Sequence, residues 1–288
     1  MTLSSLDIVA LLFIIVIGLP HGAFDAAIYG LWRGQSTVKP QAHSLALQPL
    51  IRFLVAYSAI AACVVIFWLL FPVLALGLFL VISAIHFGLG DSRPPTGRPA
   101  IIAVICHGGL ATLWLPFCHA EVTSHYFTAL SGDGAHIISD IIAFAGYGWL
   151  LAVIFYAIAA WRSPSYRWLC FEVICLGILL VYLPVLPGFA LYFCFIHSRR
   201  HFVHIFKSLT SMPAAGATSS VIPLASILTL ASWGGGLIAG LILWQYQTIE
   251  AAALQVIFIG LAALTVPHMA LVDGLWHPVN HAQKTNEL

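Results

Sequence analysis

"LDIVALLFIIVIGLPHGAFDAAIY", residues 6–29, decides the fold. A helix needs about 20 mostly apolar residues to cross the hydrocarbon core of a bilayer, and this run supplies them. It places His21 and Asp25 one helical turn apart near its end. Buried ionisable groups of that kind are expensive in lipid and call for a partner or a function.

Outward from that run the same pattern recurs. Apolar segments at about 53–71, 73–90, 100–117, 136–160, 168–186, 188–206, 221–245 and 252–275 bring the expected total to nine spans. Composition agrees: of 288 residues 61% are hydrophobic and 7% charged, against about 25% charged in a soluble domain. The expected fold is therefore all-α, a polytopic transmembrane helical bundle forming a single domain over residues 1–288. With a net charge of +1 and no basic tract, a nucleic-acid partner is excluded. The first run lacks a Lys/Arg-rich leader and reads as a retained span rather than a signal peptide.

Prolines mark two tight joints, Phe71-Pro72 and Pro184-Val185-Leu186-Pro187, where a helix would break. If spans two and three were one long broken helix, eight spans would remain. Basic residues favour nine. Arg33, Lys39 and Arg52, Arg93 and Arg98, Arg162 and Arg167, Lys207, and Lys284 follow alternate spans, while residues 118–135 and 246–251 carry only acidic charges. The positive-inside rule then puts the N-terminus outside and the C-terminus in the cytoplasm, with the chain in the cell (inner) membrane. The six cysteines form no CxxC pair and read as small apolar residues.

Histidine is the residue to follow, with 13 against 11 Lys plus Arg. His21, His86, His107, His197 and His268 fall on five spans at similar depth in the cytoplasmic half, with His201 and His204 further in. His197 and His201 in "FIHSRRH" are spaced i, i+4 and project from one helix face. Asp25 follows His21 by four residues, Asp91 follows His86 by five, and Asp273 follows His268 by five. A metal-bound imidazole commonly donates its other N–H to a carboxylate, so these pairings point to a metal site with Asp25, Asp91 and Asp273 as orienting groups. Arg199 and Arg200 are expected to reach headgroups or to pair with Asp25 or Asp91. "LPHGAFD" and "VPHMALVD" both place proline before histidine, predicting two kinks at one depth.

Ligation by imidazole without thiolate suits zinc, copper or iron. HExxH and GxSxG are absent, and no glutamate is expected near the histidines, which argues against a zinc hydrolase or a serine hydrolase. A metal-ion or proton transporter could use the same His/Asp cluster. Clustering at one depth favours a fixed metal site, since a relay would carry histidines toward the outer face. A two-metal desaturase would need denser histidine clusters.

In order, "GLPHGAFD", "IHFGLGD", "FIHSRRH" and "VPHMALVD" resemble the Brp/Blh family of membrane β-carotene 15,15′-dioxygenases across nearly the whole chain. The resemblance implies an Fe(2+)- and O2-dependent enzyme that cleaves the central double bond of β-carotene to two all-trans-retinal, a product that serves a retinal-binding rhodopsin. It implies iron ligands at His21, His86, His197 and His201, with His268 as a further ligand or a group behind the ligands. Phe24, Phe87, Trp114, Phe193, Phe195 and Trp276 are then expected near an apolar tunnel.

Overall fold

A computed structural model describes residues 2–18, 20–25, 29, 47–93, 100–210 and 217–271. Among them the chain is almost wholly helical, without strands. The first helix, α1 (Ser5–Phe13), opens with a capping box: Ser4 Oγ accepts from the Asp7 amide at 3.2 Å and the Ser4 amide donates to Asp7 Oδ2 at 3.0 Å. It runs into a π-helical turn, Ile14–Gly18, before the short α2 (Pro20–Ala23).

Then follow α3 (Leu47–Leu70), α4 (Pro72–Asp91), α5 (Ile101–Gly109) with a π turn (Leu110–Trp114) and α6 (Leu115–Cys118), α7 (Ala120–Ser131), α8 (His136–Arg162) and α9 (Pro164–Tyr182). Last come α10 (Val185–Ala190), an eight-residue π segment (Leu191–Ser198), α11 (Arg199–Thr210), α12 (Ala217–Trp244) and α13 (Ile249–Met269). Among the described residues seven stretches are long and apolar enough to cross a membrane. The expected spans at 6–29 and 188–206 are also helical where described, interrupted by their π turns.

Spans two and three are separate helices. The chain breaks at Phe71, and the Trp68 and Phe79 rings lie 6.0 Å apart although 11 positions separate them, so the second helix folds back on the first. Pro72 begins α4, where its missing N–H costs nothing. The segment 118–135, read from its charges as a loop, instead holds α7. Its buried residues Thr123, Tyr126, Phe127, Leu130 and Ser131 recur at helical spacing and face the bundle. Trp68 Nε1 donates to Leu130 O at 3.0 Å and Gln255 Nε2 to Ala129 O at 2.7 Å, which ties α7 across the ends of α3 and α13.

The tightest helix pair is α4 on α5, and glycine permits it. A Cβ on Gly108 would collide with the carbonyl oxygen of Ala84, and one on Gly88 with the carbonyl oxygen of Val104. Small residues let helix backbones approach closely where lipid offers no hydrophobic drive. That approach sets α4, with His86 and Asp91 in its last turns, against the core. All six cysteines are free; Cys106, Cys170 and Cys194 are buried.

Candidate metal centre

Six side chains from distant parts of the chain meet at one end of the bundle. The last two turns of α4 bring His86 and Asp91, the π segment brings Tyr192 and His197, α11 brings His201, and α13 brings His268. Local winding explains one of these meetings. In an α-helix residues five apart point to different sides, but i→i+5 bonding widens the turn. Tyr192 and His197 therefore share a face and both reach Asp91, whose Oδ2 lies 2.8 Å from the Tyr192 hydroxyl and 3.3 Å from His197 Nδ1.

At the other side, Asp25 Oδ1 accepts from His268 Nδ1 at 2.7 Å and Asp25 Oδ2 accepts from the Tyr57 hydroxyl at 2.8 Å. The two ends thus share one pattern, a tyrosine hydroxyl on a carboxylate that in turn holds Nδ1 of a histidine. Each tyrosine also lies near a backbone carbonyl, Leu264 O at 3.1 Å for Tyr57 and His107 O at 3.0 Å for Tyr192.

Between the carboxylates the imidazoles form a continuous row. His197 Nε2 stands 3.2 Å from His86 Nε2. Ring centroids lie 5.1 Å apart for His86 and His268, and 4.9 Å apart for His268 and His201. Asp25, His201 and His268 offer three donor atoms within 4.8 Å of one another. His86, His197, His268, Asp25 and Asp91 are each at most 4% exposed.

This donor set fits a metal ion. An Nδ1–H held by a carboxylate leaves Nε2 with its lone pair outward, the tautomer a ligand needs. Two nitrogens on one ion, each about 2.1 Å from it, stand about 3 Å apart, and His86 and His197 are already so placed. Neutral imidazoles with two carboxylates match a borderline divalent ion better than a soft one.

Charge around Asp91 is balanced by Arg200. Its NH1 group lies 3.7 Å from Asp91 Oδ1 and donates to Asp91 O at 3.3 Å, while NH2 donates to both oxygens of Glu172 at 2.5–2.6 Å. Of the two destinations expected for Arg200, pairing with Asp91 is the one found. Glu172, expected to lie away from the histidines, joins them through this arginine. Phe87 packs 4.5 Å from the His197 ring, and Phe193 stacks on it at 6.2 Å and 11°.

The structure brings together His86, His197 and His201 of the expected ligands, and sets His268 beside them. His21 lies in α2, and its side chain falls outside what the structure describes, as do Asp273 and Trp276. The expected pairing of Asp91 with His86 is replaced by a distant one, Asp91 with His197, and Asp25 holds His268; the expected pairing of Asp25 with His21 lies outside the described side chains. Of the aromatics, Trp114 stacks instead on Trp149 at 5.0 Å, and Phe195 packs on Phe13. Tyr57 and Tyr192 escaped the sequence reading; the signal was a hydroxyl inside an apolar run, which lipid leaves no water to satisfy.

Fold and site together define a many-span helical protein built around a buried histidine–carboxylate centre. The sequence matches the family described as Beta-carotene 15,15′-dioxygenase over residues 12–276. It is 37% identical over 280 residues to the beta-carotene 15,15′-dioxygenase of uncultured marine bacterium 66A03, covering 96% of this chain and 97% of that protein. No solved structure matches it. The chain belongs to the beta-carotene 15,15′-dioxygenase family.

Proposed function

We propose that the chain cleaves β-carotene at its central 15,15′ double bond with O2 to give two all-trans-retinal, on Fe(II) held by His86, His197, His201 and His268. His21 stays in the ligand set on the family pattern. The observation that carries this reading is the row of four imidazoles, with carboxylates holding His197 and His268, in a chain that matches the family over residues 12–276. The reaction balances as one C=C broken and two C=O formed, both oxygens coming from O2. Bound Fe(II) supplies the redox chemistry that lets O2 react with a closed-shell alkene.

The residues do the rest. Asp91 and Asp25 fix the tautomer and aim of His197 and His268, and Tyr192 and Tyr57 hold the carboxylates. Phe87 and Phe193 exclude water from the His197 side and give an apolar wall suited to a polyene. Arg200 offsets the carboxylate charge so that the centre stays near neutral. The lipid bilayer delivers the apolar substrate. The pattern of Lys and Arg supports an inner-membrane placement with the N-terminus outside and the C-terminus in the cytoplasm, and a retinal-binding rhodopsin would consume the product.

Expression in cells that accumulate β-carotene tests the substrate. Loss of orange colour with retinal formed is the expected result; unchanged carotene beside folded, iron-loaded protein would overturn it. No observation favours the transporter reading, since the histidines gather at one end of the bundle.

A further inference from the structure

His107, on α5, is fully buried and neither of its ring nitrogens has a hydrogen-bond partner. The hydroxyl of Tyr156, on α8, is buried and equally unpartnered, in a residue 1% exposed. Their rings face each other edge-on with centroids 6.2 Å apart. Two orphaned polar groups so close together inside an apolar bundle need a cause, because buried polar atoms are satisfied almost everywhere in proteins.

The chemistry limits what sits between them. A neutral imidazole offers one donor and one acceptor, and a phenol offers one of each. The missing partner must therefore both give and take hydrogen bonds. A metal ion is excluded by the donors: among the described residues no set of three His, Cys, Asp or Glu forms around His107. A small neutral molecule that both donates and accepts fits, and one bridging water meets that requirement.

We propose that His107 and Tyr156 hold an internal water between them, next to the Asp91 end of the centre. The Tyr192 hydroxyl makes the connection, lying 3.0 Å from His107 O and 2.8 Å from Asp91 Oδ2. The water pins the His107 side chain, and so the turn of α5 whose carbonyl Tyr192 uses. His107 is a positioning residue, independent of which substrate the enzyme takes.

A thermal double-mutant cycle on the full-length protein in detergent tests this. His107→Leu and Tyr156→Phe should each lower the apparent Tm by roughly 3 °C, while the double variant should fall no further than the worse single, because the water then leaves with both partners. His107→Gln, which keeps a donor and an acceptor, should recover at least half of the loss. Additive losses, or an unchanged Tm in Tyr156→Phe, would overturn the proposal. If His107→Leu does not fold, magnetisation transfer from water to the His107 imidazole decides by NMR. Transfer in the wild type that drops at least threefold in Tyr156→Phe supports the site, and no transfer in the wild type refutes it.

Discussion

Asp25 and His268 stand 243 positions apart in sequence, yet Asp25 Oδ1 accepts a 2.7 Å hydrogen bond from His268 Nδ1. That contact closes the bundle, joining the end of the first span to the end of the last. Its counterpart, Asp91 on His197, does the same for the third and seventh. A single arrangement of helices thus sets both the fold and the aim of the imidazoles.

On the proposed iron centre the carboxylates would act through these histidines. Asp25→Asn keeps an oxygen acceptor but loses the charge, and should weaken iron binding about 10-fold; Asp25→Leu should weaken it about 100-fold. Chelator competition on purified protein measures both, and equal affinity in all three proteins would deny Asp25 its orienting role.

The tyrosines hold the carboxylates in turn. Tyr57→Phe and Tyr192→Phe each leave a buried carboxylate short of one hydrogen bond, at a cost of about 1–3 kcal/mol. Denaturant or thermal melts should register the loss in both variants while iron content stays near that of the wild type.

Arg200 sits between two carboxylates, with its side chain 31% exposed. Partial solvent access reduces what a fully buried pair would lose, so Arg200→Met should destabilise by about 2 kcal/mol rather than more. Adding Glu172→Met should return part of that loss, because one orphaned charge is removed. A double variant less stable than the single would contradict this charge balance.

Close approach of α4 to α5 has no slack at Gly108. Gly108→Val forces a side chain into the Ala84 carbonyl, and overpacking of this kind costs about 1–3 kcal/mol or more. Lower yield of monodisperse protein and reduced iron content should appear together, since His86 and Asp91 ride on the displaced helix.

Much of the fold was legible in the sequence because lipid imposes long apolar runs. Breaks at Phe71-Pro72 and Pro184 fell where the prolines indicated. The helix at Ala120–Ser131 was missed, although Thr123, Tyr126, Phe127 and Leu130 carry the helical period, because the charges of that segment drew the reading to a loop. Histidine depth led to His86, His197, His201 and His268. The partner of Asp91 did not emerge, since spacing along one helix pairs it with His86, whereas its actual partner His197 is set by which helices pack together. The π winding that aligns Tyr192 with His197 left no mark that a 3.6-residue period would detect.

Iron bound per chain in purified wild type, His86→Ala and His268→Ala tests the shared centre most directly. Elemental analysis of folded, monodisperse protein should find about one iron per chain in the wild type and near none in either variant. Full iron occupancy in both variants would contradict a single ion held between these imidazoles.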